Sequence, residues 1–408
     1  MIYMKILKDS IITDVEGFLA AGVHCGIKKS TKKDLCVIYS KYPCRAAAAF
    51  TTNKVKAAPV IVNMQHIKSE NIRAIVVNSG IANACTGDGG IKDAYKMTKI
   101  AADNLKIQSS EVLVASTGVI GVPLPMDKIS LGIENACKNL SKDGGIEAAQ
   151  AIMTTDTFIK KCSVEIELDS KKIMLSGIAK GSGMIHPNMA TMLSFIVTNA
   201  NISKDMLSKA LKESVVDSYN MISVDGDTST NDMVLILANG RAENNEIIIE
   251  DENYCKFKEA LHYLNCELAK QIAKDGEGAT KLIEVNVKGA KTIEDAKILS
   301  KSVINSNLVK TAVFGSDANW GRILCALGYS GAEFNPENVS IGFKGSIDEV
   351  EIVKYGMGTI FDENLAKKIL DEDYVKILID LNDGNCSSTA WGCDLTYDYV
   401  KINGSYRS

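Results

Sequence analysis

The chain has 408 residues, with 46 Lys and Arg against 50 Asp and Glu and a formal net charge of −4. Hydrophobic residues make up 46% and charged residues 24%, which is typical of a soluble globular protein and argues against a disordered or fibrous chain. The mildly acidic balance, without a stripe of Lys and Arg, argues against nucleic acid as a partner, and the length is sufficient for two or three domains.

Strand and helix patterns alternate along the chain, with no repeat and no low-complexity linker. The predicted elements, in chain order, are strands at 72–80 and 111–121 with a helix between them after residues 86–90, a strand at 171–184, an apolar strand at 191–200, a helix from its N-cap Ser203 through Tyr219, a strand at 232–240, a helix from Tyr254 closed by Gly276, and a strand at 281–289. This order predicts an α/β or layered α+β fold.

The 11 cysteines are odd in number and scattered. No two have C-x-x-C spacing, and the nearest pair is Cys386 with Cys393, which argues against a zinc site or a disulfide framework. We therefore expect no metal, and reduced, mostly buried thiols in a cytoplasmic protein. The N-terminal segment has the features of neither a signal peptide nor a membrane anchor, and no apolar run approaches the ~18 residues that span a bilayer, so no membrane partner is predicted.

The segment 180–200 combines two glycines, a His186-Pro187-Asn188 turn and a threonine, Thr191, at the start of an apolar run. A hydroxyl is a weak nucleophile and needs a base. If the peptide bond before Thr191 were cut, the new α-amino group, with an unperturbed pKa of about 7.7–8.0, could accept the hydroxyl proton. On the pattern alone, a Thr that begins an ordinary strand is the commoner explanation. His186 could assist such a cleavage or serve only the turn.

Two further features could carry chemistry. Thr117 and Gly118 lie at a strand end, where a hydroxyl and an amide N–H could stabilise an oxyanion or could simply belong to a strand-terminating turn. Lys180 and Glu277 lie in glycine-containing segments, where they could bind the carboxylate and the ammonium group of an amino acid or could simply be solvated.

Residues 180–193, KGSGMIHPNMATML, resemble the self-cleavage signature of the ornithine acetyltransferase (glutamate N-acetyltransferase) family of arginine biosynthesis. Three other segments are similar to the family: STGVIG, SDANWGRILCALGYSG and the C-terminal TAWGCDLTYDYVKINGSYRS. The resemblance covers essentially the whole chain. Departures are small: Ala318 replaces a common proline, and the chain ends in Ser408 where many members end in Thr.

The resemblance implies autocatalytic cleavage between Ala190 and Thr191, giving an α chain of residues 1–190 and a β chain of residues 191–408 that associate as α2β2. It implies helices layered over sheets, as in the self-processing β-aminopeptidases. It also implies that Thr191 is the nucleophile and that Thr117 and Gly118 form the oxyanion hole. The substrate-binding residues that it implies are Thr154, Lys180, Thr191, Glu277, Asn403 and Ser408.

The activity that the resemblance implies is transfer of the acetyl group of N-acetylornithine to glutamate through an acetyl-Thr191 intermediate. No cofactor is expected, and acetyl-CoA is expected as an additional co-substrate and donor. Two alternatives stay open at this stage. One is a self-processing aminopeptidase or amidohydrolase of similar fold, and the other is a non-catalytic metabolite-binding protein.

Overall fold

The computed structural model describes residues 4–186 and 192–405. These residues fall into two compact units. Unit 1 takes residues 4–181, 192–220 and 228–268, and unit 2 takes residues 182–186, 221–227 and 269–405. Within these ranges, no helix is both long enough and apolar enough to cross a bilayer.

The strands, in chain order, are β1 Lys5–Ile6, β2 Phe18–Val23, β3 Leu35–Phe50, β4 Ile72–Ile81, β5 Val112–Val119, β6 Lys160–Leu168, β7 Lys171–Lys180, β8 Leu193–Thr198, β9 Ile222–Ser223, β10 Met233–Ala238, β11 Leu282–Ala290, β12 Ser340–Lys344, β13 Glu349–Lys354, β14 Met357–Gly358, β15 Tyr374–Asp380 and β16 Cys386–Cys393. The α-helices are α1 Ala58–His66, α2 Gly87–Leu105, α3 Met126–Lys138, α4 Gly145–Ala151, α5 Lys204–Val216, α6 Glu252–Lys274, α7 Ile293–Asn305, α8 Asn307–Phe314, α9 Trp320–Gly328, α10 Glu363–Leu370 and α11 Tyr397–Gly404.

Unit 1 is built on a mixed sheet with the strand order β1-β6-β7-β8-β10-β3-β4-β5, to which β2 adds by pairing with β3. Side chains alternate across this sheet: Ile75 and Val77 of β4 enter one core, and Val76 between them enters the other. Helix α4 packs on the first face, while α2 and α3 pack on the second. Both faces are therefore covered, which explains why β4 and β5 are almost continuously apolar.

The centre of this sheet joins strands from both sides of residue 190. β8 pairs antiparallel with β7, with Leu193 opposite Lys180, and parallel with β10, with Leu193 opposite Met233. β10 in turn pairs antiparallel with β3. Strands β8 and β10 thus lie between β7 and β3, so the two predicted fragments would share one sheet.

Unit 2 contains a second mixed sheet, ordered β14-β13-β12-β15-β11-β16-β9. In β11, the buried Ile283, Val285 and Val287 alternate with Glu284 and Asn286, as expected for a strand with one apolar face. Helix α7 packs against β11 and β16. Together the two units confirm the predicted α/β, layered α+β fold class.

The cysteine prediction is partly wrong. All 11 thiols are free, but only Cys36, Cys44, Cys162 and Cys393 are buried. The other seven are partly or fully exposed, and they include Cys255 on α6. A thiol is small and only weakly apolar, so exposing it costs little free energy and burial does not follow from residue type alone.

Helix α5 confirms the predicted N-cap but ends earlier than predicted. The hydroxyl oxygen of Ser203 accepts a hydrogen bond from the Met206 N–H at 3.4 Å. The helix stops at Val216, and Tyr219 lies in a short 3-10 turn. The Tyr219 side chain is fully buried and its hydroxyl is 2.9 Å from the Ser194 hydroxyl, a contact that removes this residue from the helix.

We expect Ser203→Ala to lower the free energy of unfolding by about 1 kcal/mol, because an orphan helix N–H loses its acceptor. Urea denaturation checks this value. The matched control is Ser208→Ala, at an exposed position within α5, which should leave stability unchanged or slightly raised because Ala is the better helix former. Equal effects of the two substitutions would contradict the assignment of the cap.

Candidate active site

The predicted oxyanion residues lie where β5 ends, beside the parallel strand β4. Gly118 pairs with Gly80, and its φ of 131° is in a region that L side chains rarely adopt. A Cβ on Gly118 would lie 2.2 Å from the carbonyl carbon of Gly80. Only glycine fits at this position, and Thr117 beside it is partly exposed. The Thr117 hydroxyl and the Gly118 N–H therefore lie on a backbone segment that is tightly packed against Gly80.

A residue that sequence reasoning missed, Asn231, anchors this strand end. Its side chain is 4% exposed. Its amide nitrogen donates to the carbonyl oxygens of Ala82, at 2.5 Å, and Ser116, at 2.9 Å, and its amide oxygen accepts from the Thr230 hydroxyl. Asn231 thus ties the residue before Thr117 to the segment after β4. The available signal was a polar pair, Asn-Asp, directly before the apolar strand β10.

Lys180 is the last residue of β7, and its side chain joins two other predicted site residues. The Lys180 ammonium donates to the hydroxyl oxygen of Thr154 at 2.8 Å and to that of Thr117 at 3.3 Å. An ammonium group has only donors, so both hydroxyl oxygens act as acceptors here. Their own hydrogens therefore stay available for donation to another group. The structure thus brings Thr117, Gly118, Thr154 and Lys180 together in unit 1.

Asp156, also missed by sequence reasoning, is the anion of this cluster. Its carboxylate accepts from the Lys160 ammonium at 2.7 Å and from two backbone N–H groups, those of Gly181 at 2.7 Å and Thr154 at 2.8 Å. Burial by itself would raise the pKa of Asp156, but the nearby Lys180 and Lys160 charges and these hydrogen bonds outweigh it and hold the pKa well below its usual range. Asp156 is therefore ionised at neutral pH.

Two other predicted residues meet in unit 2. The Asn403 amide nitrogen, on α11, donates to the carboxylate of Glu277 at 2.8 Å. Glu277 is 7% exposed, and its backbone N–H donates to the carbonyl of Ser182. A Cβ on Gly183 would lie 2.3 Å from a Glu277 oxygen, so the glycine allows this close approach. This hydrogen bond places α11 beside Glu277.

His186 belongs to a hydrogen-bonded chain within unit 2. The Ser223 hydroxyl donates to the Asn305 amide oxygen at 2.9 Å, so at 3.1 Å it accepts from His186 Nδ1. Burial lowers the pKa of His186 to about 4, and the positive charge of Lys301 adds to this effect. The imidazole is therefore neutral at pH 7, with its proton on Nδ1. This placement is compatible with either role that the sequence left open for His186.

Three predicted site residues, Ala190, Thr191 and Ser408, lie outside the described residues. The structure does describe Met192, which follows Thr191 directly. Its carbonyl oxygen accepts from the Met233 N–H at 2.9 Å. Among the residues of the described ranges, no group of three or more His, Cys, Asp or Glu side chains is placed to hold a metal ion.

Comparison with known proteins gives these side chains a context. A family model described as the ArgJ family matches residues 19–408. The chain belongs to the ArgJ family. It is 64% identical to the arginine biosynthesis bifunctional protein ArgJ 1 of Clostridium acetobutylicum, over 99% of both chains. It is 56% identical to the ArgJ protein of Caldanaerobacter subterraneus subsp. tengcongensis, over 99% of this chain and all of that one.

Among solved structures of the family, one is the ornithine acetyltransferase of Mycobacterium tuberculosis complexed with ornithine. It is 39% identical to this ArgJ-family chain, covers 46% of this chain and 100% of its own, and has a TM-score of 0.43. Family membership confirms the resemblance that the sequence motifs carry. The individual roles of the site residues stay predictions.

Gly118→Ala should destabilise the protein by about 2 kcal/mol, because the added methyl group overlaps Gly80 and the residue has a positive φ. Denaturant unfolding measures this change. Gly89→Ala is the matched control, because no atom lies within 4 Å of a Cβ at this exposed position of α2. A Gly118→Ala protein as stable as the control would contradict the described strand end.

The lowered pKa of His186 makes the free energy of unfolding depend on pH. Its folded-state pKa of about 4 is below the ordinary value of 6.5, so between these values the unfolded chain binds more protons. The stabilisation is complete above pH 6.5 and is lost as the pH falls toward 4. We expect His186→Gln to flatten the rise of the free energy of unfolding from pH 4 to pH 6.5, as measured by urea denaturation across this range. An unchanged slope in His186→Gln would contradict the buried, neutral state.

Proposed function

We propose that this protein is the acetyltransferase of arginine biosynthesis that moves the acetyl group of N-acetylornithine to glutamate. One observation carries the site assignment: the Lys180 ammonium donates to both Thr117 and Thr154. A residue of the proposed oxyanion hole is thereby joined to two proposed substrate-binding residues. The family relationship, which extends over 99% of the chain at 64% identity, supports the same function.

The proposed chemistry begins with cleavage between Ala190 and Thr191, which gives Thr191 a free α-amino group. This amine takes the hydroxyl proton as the Thr191 oxygen attacks the acetyl carbonyl carbon of N-acetylornithine. The Thr117 hydroxyl and the Gly118 N–H donate to the oxyanion of the tetrahedral intermediate. The amide C–N bond then breaks, the leaving amine of ornithine takes the proton, and Thr191 carries the acetyl group as an ester.

The second half-reaction reverses these steps with glutamate. The amino group of glutamate attacks the ester carbonyl, the same donors stabilise the oxyanion, and the C–O bond to Thr191 breaks. The α-amino group of Thr191 takes the proton that the attacking nitrogen loses and gives it to the Thr191 oxygen, and N-acetylglutamate leaves. Such an acyl-enzyme scheme has ping-pong kinetics.

Substrate recognition in this proposal uses opposite charges. The Lys180 ammonium suits a substrate carboxylate, and the Glu277 carboxylate suits a substrate ammonium group. Asn403 supports this role of Glu277 because its amide orients one carboxylate oxygen. We assign the terminal Ser408 to the same substrate-binding set.

We further propose that the α chain, residues 1–190, and the β chain, residues 191–408, stay associated after cleavage and assemble as α2β2. The sheet of unit 1 supports their association, because β8 and β10 of the β chain lie between β7 and β3 of the α chain. Separation would break the β7–β8 and β10–β3 ladders and expose the buried residues between them. The cytoplasm, where amino-acid precursors are made, is the proposed location.

Thr191→Ala should abolish both chain cleavage and acetyl transfer, with activity reduced by at least about three orders of magnitude, because no hydroxyl remains to attack or to carry the acetyl group. Thr191→Ser should keep part of both. A denaturing gel and an assay of N-acetylglutamate from N-acetylornithine measure the two effects. The control is Thr311→Ala, at an exposed position of α8.

Two outcomes would contradict this proposal. Transfer by Thr191→Ala at the parent rate would exclude the acyl-enzyme. Release of ornithine by the parent enzyme at the same rate with and without glutamate, and without N-acetylglutamate as product, would identify a hydrolase.

We propose no resident cofactor, and we propose acetyl-CoA as a second acetyl donor, consistent with the word bifunctional in the names of the relatives. With acetyl-CoA as the sole donor, we expect N-acetylglutamate to form and to depend on Thr191. Free coenzyme A and N-acetylglutamate should appear in equal amounts. If glutamate is acetylated from N-acetylornithine but not from acetyl-CoA, the enzyme has a single donor and the second activity is absent.

A further inference from the structure

Unit 1 buries a cluster of three charges, two lysines and one aspartate. The side chains of Lys160 and Asp156 are 0% exposed, and that of Lys180 is 10% exposed. Removing ammonium and carboxylate groups from water is costly unless they are paired and hydrogen-bonded. One carboxylate shared by two ammonium groups leaves the cluster with a net charge of +1. The more exposed of the two cations is Lys180.

The contacts of Asp156 extend beyond a simple pair with Lys160. One carboxylate oxygen accepts from Lys160 and from the Gly181 N–H, the residue after Lys180. The other accepts from the Thr154 N–H and lies 3.9 Å from the Lys180 ammonium. Asp156 therefore contacts the backbone of one proposed substrate-binding residue, Thr154, and the backbone directly after another, Lys180. A partner for Lys160 alone would need none of these additional contacts.

We propose that Asp156 is the positioning residue of the acetyl-transfer site. It keeps the Lys180 ammonium charged and oriented toward Thr117 and Thr154. Because Lys160 is the permanent counter-ion of Asp156, the positive charge of Lys180 stays available for a substrate carboxylate. This inference rests on the proposed function. It adds a residue that acts on the reaction through Lys180 and does not itself touch substrate.

Two other charged groups, Lys28 and Asp232, also interact with Lys180. Lys28 lies near enough to repel Lys180, and its own ammonium donates to the carbonyl oxygens of Met153 and Lys33. Burial lowers the pKa of Lys28 to about 8. Asp232 also interacts with Lys180, but burial raises its pKa well above the usual value, so it is a poor counter-ion. Asp156, by contrast, is ionised, and its carboxylate lies 3.9 Å from the Lys180 ammonium.

The test is the pH dependence of kcat/KM for transfer from N-acetylornithine to glutamate, per processed chain, from about pH 6 to pH 9.5. Asp156→Asn keeps the side-chain shape but removes the charge. We expect kcat/KM near pH 8 to fall about 100-fold and its alkaline limb to move about one to two pH units lower, because Lys180 loses its proton more easily. The matched control, Asp103→Asn, removes an exposed carboxylate that pairs with Lys99, and it should keep the parent profile.

Two conservative variants separate positioning from a purely structural role. Asp156→Glu keeps the charge, so its alkaline limb should stay at the parent pH while kcat/KM falls. Lys160→Met removes a cation near Lys180, so the alkaline limb of kcat/KM should stay at the parent pH or move to higher pH. If Asp156→Asn does not fold, these two variants still test the proposal. A shift of the alkaline limb of kcat/KM to about one pH unit lower in either variant overturns it.

An Asp156→Asn enzyme with the parent pH profile and kcat/KM within twofold of the parent also overturns the proposal. Failure of the proposed function has a different signature, because the parent enzyme itself would then make no N-acetylglutamate. The parent and Asp103→Asn proteins therefore report on the function, and the Asp156 and Lys160 variants report on positioning.

Discussion

The arrangement of the proposed site depends on the contacts of one buried group, the carboxylate of Asp156. The Lys180 ammonium is nearly excluded from water, and the Asp156 carboxylate lies 3.9 Å from it while also accepting hydrogen bonds from two backbone N–H groups. Through Lys180, this one buried group sets the position of the Thr117 and Thr154 hydroxyl oxygens. The proposed site is thus organised around the buried Lys180 ammonium and its contacts with Asp156, Thr117 and Thr154.

The sheet of unit 1 gives the site its framework. Lys180 ends β7, Leu193 opposite it begins β8, and Thr117 and Gly118 lie near the end of β5. The chain between Lys180 and Leu193 carries the proposed cleavage point, so its two ends are fixed by a β ladder before and after cleavage. Because the ladders join strands from both proposed fragments, they would still hold β7, β8, β10 and β3 together if the bond between residues 190 and 191 were cut.

Local patterns predicted local structure well. The β-branched runs at β4 and β5 and the cap at Ser203 are determined by neighbouring residues. Thr117 and Gly118 do not form a turn, because both belong to β5 and pair with Ser79 and Gly80 of β4. Asn231 and Asp156 could not be found in this way. Asn231 lies 115 residues from the Ser116 carbonyl that it binds, and Asp156 lies 25 residues from Gly181, so only the sheet topology brings these partners together. The roles of Glu277 and Asn403 came from the family motifs and not from spacing.

Chain cleavage and the acetyl-Thr191 intermediate are tested most directly by mass spectrometry of the enzyme, quenched during turnover of N-acetylornithine without glutamate. We expect two fragments, one beginning at Thr191, with a single acetyl group on the Thr191 hydroxyl oxygen that disappears when glutamate is added. One uncut chain, or two fragments without this glutamate-sensitive acetyl group during active transfer, would contradict the proposed mechanism.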